Sequence, residues 1–156
     1  MNPVPSAQMV DSPVVRPQDP IRLIMSAPVA TLDVGATLRD VSEELTRNEI
    51  GAVLVTDGAR TGLISERDVV TGMSTGCDVD LRQIGEVFTA DLVWASPEDS
   101  IVDVGALMIE TGIRHIPVSD HRSAIGIVSA RDILKILISA AREDHRAAGL
   151  QGRGMG

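Results

Sequence analysis

The chain has 156 residues, 44% of them hydrophobic, with 14 basic against 22 acidic side chains and a formal net charge of −8. A chain of that length buries roughly 70% of its unfolded surface, so a core forms without disulfides or metals. The acidic balance, the absence of any Lys or Arg run and an aromatic set of only Phe88 and Trp94 exclude a duplex-binding face and a base-stacking platform.

Residues 1–20 hold Pro3, Pro5, Pro13, Pro17 and Pro20 without apolar periodicity and read as a mobile extended tail. From residue 21 the chain is written twice. "IMSAPV" at 24–29 aligns with "VFTADL" at 87–92, "TLRDVSEEL" at 37–45 with "SIVDVGALM" at 100–108, and "IGAVLVTD" at 50–57 with "IRHIPVSD" at 113–120, each at an offset of 63. The offset becomes 64 at "GLISERD" (62–68) and "GIVSARD" (126–132), because the second turn is one residue longer. Self-similarity at a fixed period predicts two copies of one unit, 21–80 and 81–148, with 149–156 as a disordered tail.

Each unit follows one plan. A short extended stretch (Val29 to Leu32, Leu92 to Ala95) leads to a helix whose apolar face is Leu38, Val41 and Leu45, or Ile101, Val104 and Met108. Thr37-x-x-Asp40 and Ser100-x-x-Asp103 are capping boxes at its start. The strands "AVLV" and "HIPV" then turn into "GLI" and "GIV", giving a β-hairpin, and a second helix begins near Asp68 or Asp132. After Asp68 the helix is short and ends near Gly72 to Gly76. After Asp132 the run "ILKILISAAREDHRAAG" extends for about four turns and is apolar on more than one face, which predicts burial against another element or subunit. The predicted class is α+β, with the order β-α-β-β-α repeated.

The seven-letter motif supports two readings. Ser-x-x-Asp before an apolar stretch is itself a capping box, and Gly62 or Gly126 simply begins a strand that closes a tight hairpin. The other reading is a binding site. A helix start attracts phosphate, Ser65 or Ser129 donates a hydroxyl, Arg67 or Arg131 makes a charge-assisted contact, and Asp68 or Asp132 accepts from a ribose diol.

The tandem β-α-β-β-α plan, "RHIPVSD" before the turn and "GLISERD"/"GIVSARD" after it resemble a pair of CBS domains, a Bateman module, over roughly residues 21–140. The resemblance implies two domains packed about a pseudo-two-fold axis, with clefts between them for AMP, ADP, ATP or S-adenosylmethionine. It implies that Ser65, Asp68, Ser129 and Asp132 contact phosphate and ribose. It places adenine against backbone at Val29–Ala30 and Leu92–Val93, and at Gly51–Ala52 and Arg114–His115. The second copy carries the fuller pattern, since Arg114 and His115 stand where the first has Gly51 and Ala52. Glu66 adds negative charge to the first motif, so the second is the expected site if only one binds. His115 is expected to be packed and hydrogen-bonded, Trp94 to lie in the core or beside the base cleft, and Pro117 to occupy an edge or bulged position.

No catalytic constellation competes. His115, His121 and His145 lack cysteine partners, one cysteine (Cys77) builds neither a disulfide framework nor a thiolate zinc site, and no nucleophile elbow or phosphate-binding glycine loop is present. The chain has no leader pattern and no apolar run approaching about 18 residues. It therefore reads as a cytoplasmic, non-enzymatic, stand-alone sensor with no metal or cofactor. Its output is expected through a homodimer or an unknown protein partner. The competing reading is an interaction protein that keeps the fold without the ligand.

Overall fold

A computed structural model describes residues 14–121 and 123–151, with side chains to residue 148. The first repeat contains β1 (Thr31–Asp33), α1 (Leu38–Asn48), β2 (Ala52–Thr56), β3 (Thr61–Ser65) and α2 (Glu66–Ser74). The second contains α3 (Ile101–Thr111), β4 (His115–Ser119), β5 (Ala124–Ser129) and α4 (Ala130–Gln151). In the first sheet β2 lies between parallel β1 and antiparallel β3; in the second β4 and β5 pair antiparallel.

The predicted helices form for the predicted reasons. Leu38, Val41 and Leu45 are the buried stripe of α1, and Ile101, Val104 and Met108 that of α3. Thr37 and Asp40 form a reciprocal box: the Asp40 amide donates to Thr37 Oγ1 at 3.2 Å and the Thr37 amide to Asp40 Oδ2 at 2.7 Å. Those bonds hold the Asp40 carboxyl below its ordinary range. Thr37→Ala is expected to lower stability by about 1 kcal/mol in a denaturant titration, with no change in the transition's steepness. At Ser100 the hydroxyl accepts from the Asp103 amide at 3.2 Å and donates to its carboxylate at 2.6 Å.

One predicted strand does not form. Leu92 to Ala95 contributes only a parallel bridge from Ala95 to Val118. In the first repeat the Leu54 amide donates to Ala30 O at 2.9 Å, which anchors the lead-in to β1. Pro117 holds the corresponding place in β4 and has no amide to give, so the ladder stops one bond short. The irregularity in β4 falls between Val118 and Ser119, not at Pro117.

The tail prediction fails for residues 14–20. The Ile101 amide donates to Asp19 O at 3.0 Å and the Val102 amide to Pro17 O at 2.9 Å, so this stretch caps the start of α3, and Val15 packs on the second core. Residues 1–13 and 152–156 lie outside the described residues. Helix α4 runs to Gln151, longer than the four predicted turns. Ile133, Ile136 and Leu137 face the second core, while Leu134 and Ile138 are exposed.

The two repeats exchange their lead segments. Ile21, in a 3-10 turn (Ile21–Leu23), is fully buried in the core of the second repeat, with Ile101, Ile116 and Val128. Ile84, in the matching turn (Ile84–Glu86), is fully buried in the core of the first, with Leu38, Val53 and Ile64. The hydrogen bonds repeat with it. Ile21 N reaches Asp99 O at 2.8 Å and Ile84 N reaches Ala36 O at 2.9 Å. Ser26 exchanges two backbone bonds with Ile127 on β5, and Thr89 exchanges two with Leu63 on β3. Each repeat's core is thus closed by the segment that introduces the other.

Candidate functional site

The exchange explains the glycines of the repeated motif. A β-carbon on Gly62 would overlap the Phe88 ring and lie 2.7 Å from Thr89 O; one on Gly126 would overlap Met25. Neither glycine has positive φ. They leave room for the crossing segment rather than closing a tight hairpin turn.

After each glycine the strand delivers Ser-x-x-Asp to a helix start. Ser129 Oγ donates to Asp132 Oδ2 at 2.6 Å and accepts from the Asp132 amide at 3.3 Å. Ser65 Oγ and the Ser65 amide both donate to Asp68 Oδ2 at 2.7 Å. The first amide of each helix is held by the opposing half-hairpin: Glu66 N donates to Gly51 O at 3.1 Å and Ala130 N to Arg114 O at 2.9 Å. The capping reading is therefore correct as far as it goes. The same residues also line clefts.

Two clefts lie between the repeats, of about 370 and 290 Å³. The larger brings Ser129, Arg131 and Asp132 against Glu49, Gly51 and Ala52 of the first repeat, with Ser26 on its wall. The smaller brings Ser65, Arg67 and Asp68 against Thr89, Leu92 and Val93 of the second. Arg114 and His115 line both. The motif of one copy thus faces the entering segment of the other. A first site weakened by the lack of an arginine at Gly51 is a misplaced expectation, because Gly51 lies in the cleft of the second motif and Arg114 borders that of the first. Val29 and Ala30 line neither cleft; Ala30 packs on the first core and its carbonyl is taken by the Leu54 amide.

Two residues, Lys135 and Glu49, escape a reading by motif alone, and a third, Glu66, borders the cleft of the second motif rather than the first, where it was expected to add negative charge. Lys135, one turn beyond Asp132 on α4, lines the larger cleft and donates to Asp132 Oδ1 at 3.2 Å. Its i, i+3 spacing from Asp132 is a signal the sequence carries. Glu49 enters through a left-handed backbone at φ 53°, and Glu66 reaches the larger cleft although its neighbour Arg67 lines the smaller.

The linings carry both signs: Arg114, Arg131 and Lys135 with Glu49, Glu66 and Asp132 in the larger cleft, Arg67 and Arg114 with Asp68 and Asp91 in the smaller. Five arginines, at 22, 39, 47, 60 and 82, are engaged by carboxylates; the cleft arginines 67, 114 and 131 form no ion pair among the described residues. Burial opposes ionisation of Asp132, but the Ser129 hydroxyl and the Lys135 ammonium outweigh it and keep the carboxyl below its ordinary range. Asp68 lines the smaller cleft and makes no bond through Oδ1 among the described residues. Burial, then Arg114, push the His115 imidazole below its usual value, and Glu66 only partly opposes this. His115 is therefore neutral at pH 7. It is packed as expected: a β-carbon on Gly51 would lie 2.6 Å from His115 Nε2. Trp94 is neither deep in the core nor in a cleft lining; it is 40% exposed.

Among the described residues no cluster of His, Cys, Asp and Glu is arranged to hold a metal, and no helix is long and apolar enough to cross a membrane. A family model described as the CBS domain matches residues 21–74 and 84–139. The chain is 32% identical over 133 residues to an uncharacterized protein of Methanocaldococcus jannaschii, covering 84% of this chain and 47% of that one. It spans about half the length of that relative. A CBS-domain protein from Burkholderia ambifaria superposes with a TM-score of 0.68 at 29% identity, over 72% of this chain and 84% of that one. The CBS domain pair of protein MJ0100, solved with 5′-methylthioadenosine and S-adenosyl-L-methionine, superposes at 0.71 and 21% identity, over 80% and 99%. That last likeness is one of fold.

Proposed function

The chain belongs to the CBS-domain family as a tandem pair, a regulatory ligand-binding module, and from that premise we propose that its clefts bind an adenine nucleoside bearing phosphate. The observation that carries this reading is the convergence, twice, of a hydroxyl, a carboxylate and an unpaired arginine at a helix start facing the other repeat's backbone. The carboxylate suits a ribose diol, the arginine and the positive helix end suit phosphate, and the apolar strand backbone suits a base. The larger cleft is the principal site, because Arg131 and Lys135 lie on successive turns beside Arg114. The ligand complex of protein MJ0100 supports an adenosine-type ligand, and S-adenosylmethionine is the alternative to AMP, ADP or ATP.

The signal passes through association. Val70 and Met73 on α2, and Leu134 and Ile138 on α4, are large apolar side chains left exposed, which supports a homodimer in solution. Ligand shifts that assembly, or a protein partner's binding, by preferring one arrangement.

Calorimetric titration with AMP, ATP and S-adenosylmethionine tests the reading. Asp132→Ala is expected to weaken AMP binding by about 10- to 100-fold, the effect of losing hydrogen bonds to a charged group. Heat released equally by wild type and variant would move the site elsewhere. No heat and no thermal stabilisation from any of the three would leave the competing reading, a ligand-free interaction scaffold.

A further inference from the structure

The two clefts share a wall. Arg114 and His115, at the start of β4, border the Ser129–Asp132 cleft on one side and the Ser65–Asp68 cleft on the other. Their counterparts in the first repeat are Gly51 and Ala52, which add no charge, and both line the larger cleft without lining the smaller. The duplicated scaffold therefore holds, for two sites, three arginines without carboxylate partners among the described residues: Arg131 on one side, Arg67 on the other, and Arg114 between them.

Arg114 is exposed, and among the described residues no ion pair fixes its guanidinium on either side. Its backbone, by contrast, is pinned, since its carbonyl accepts from the Ala130 amide at 2.9 Å. The side chain can swing about a fixed origin, and the clefts lie on opposite sides of it, so turning its donors toward one takes them from the other. The rest of the wall cannot replace it. His115 is packed against Gly51, and Glu66 presents a carboxylate to the larger cleft.

We infer that Arg114 is a shared phosphate ligand that makes the two clefts antagonistic, so that a phosphate-bearing nucleoside in one weakens binding of a second in the other. This rests on the proposed nucleotide function and specifies how its two sites communicate. Filling the larger cleft draws the guanidinium to that side, and the smaller cleft then keeps Arg67 alone. Coupling between binding sites typically amounts to about 5- to 150-fold in affinity. By reciprocity the larger cleft loses the same factor when the smaller is filled. The module thus reports nucleotide over a wider concentration range than two equal sites allow.

The test compares the smaller cleft alone with the smaller cleft beside an occupied neighbour, using AMP in calorimetry. Asp132→Ala weakens AMP in the larger cleft by about 10- to 100-fold, so that the smaller cleft is filled without an occupied neighbour; Asp132→Asn, which keeps the shape of the cap, replaces it if the melting temperature falls. The second AMP on the wild type is expected to bind about 5- to 150-fold more weakly than the AMP bound by the Asp132 variant. In an Arg114→Ala background that ratio is expected to fall to unity. Equal affinities in the first comparison, a ratio that persists without Arg114, or a smaller cleft that never binds AMP would each overturn the antagonism and leave a nucleotide site in the larger cleft standing. Absence of AMP binding in every variant would instead remove the functional reading, and the antagonism with it.

Discussion

Replacing Ile21 with alanine is expected to cost about 2–5 kcal/mol of stability, and to cost it in the repeat that does not follow Ile21 in sequence. The side chain is fully buried among Ile101, Ile116, Val118 and Val128. Its backbone is fixed there as well, through Ile21 N to Asp99 O at 2.8 Å and Arg22 N to Pro97 O at 3.1 Å. The cavity left by truncation lies beneath a rigid turn and cannot collapse readily, which places the cost toward the upper part of that range. Trp94, the single tryptophan, adjoins core residue Ala95 and supplies a fluorescence reporter on the second repeat, to be followed beside circular dichroism in denaturant. The mirror substitution, Ile84→Ala, is expected to have a similar cost through the first core. Deleting residues 1–26 is expected to prevent the second repeat from folding although its own sequence is untouched. A stable second repeat in that deletion, or a loss below about 1 kcal/mol for Ile21→Ala, would show that the exchanged segments are not part of the cores.

Much of this fold is legible in the linear sequence. A stripe such as Leu38, Val41 and Leu45 needs only the helical period to be found, and Thr37 with Asp40 needs only the cap spacing. The duplication shows through aligned apolar classes. What the sequence hides is partnership at long range. Ile21 and Ile84 look like ordinary lead-in residues, and nothing local says that each crosses to the other core. For the same reason the motif residues and the segments Leu92–Val93 and Gly51–Ala52 are identifiable from the sequence while their pairing is not: Ser65 and Asp68 face Leu92 and Val93, and Ser129 and Asp132 face Gly51 and Ala52. Val29 and Ala30 fell outside the clefts because a backbone bond from Leu54 draws Ala30 into the first sheet. The docking of residues 14–20 was hidden by their prolines, which suggest a free tail when counted and cap α3 when placed.

The paired readings of "GLISERD" and "GIVSARD" also meet here. The serine and aspartate cap a helix, and capping fixes the geometry that a ligand requires. Asp132 shows how: its Oδ2 is committed to Ser129, so the carboxylate cannot rotate freely, while Oδ1 faces Lys135, an exposed side chain that a phosphate can draw away. On the proposed reading, the cap and the binding residue are one group, held by one set of bonds.

Gly62→Ala is the sharpest test of the crossing that builds the clefts. It is expected to cost about 1–3 kcal/mol by overpacking, and more than Gly126→Ala at the equivalent position. Neither glycine has a positive φ, so backbone strain is not at issue and the difference comes from what lies overhead. Over Gly62 lies the Phe88 ring, with Thr89 O at 2.7 Å from the new methyl. The segment cannot lift away, because Thr89 exchanges two bonds of 2.9 Å with Leu63. Over Gly126 lies Met25, whose unbranched chain can adopt another rotamer at lower cost. Thermal or denaturant unfolding of the two variants ranks them directly. Thr89 also lines the smaller cleft, so Gly62→Ala is expected to weaken nucleotide there while leaving the larger cleft's affinity near that of wild type. If the two alanines cost the same, the crossing segments do not pack on the motif glycines, and the clefts are not walled by the exchange.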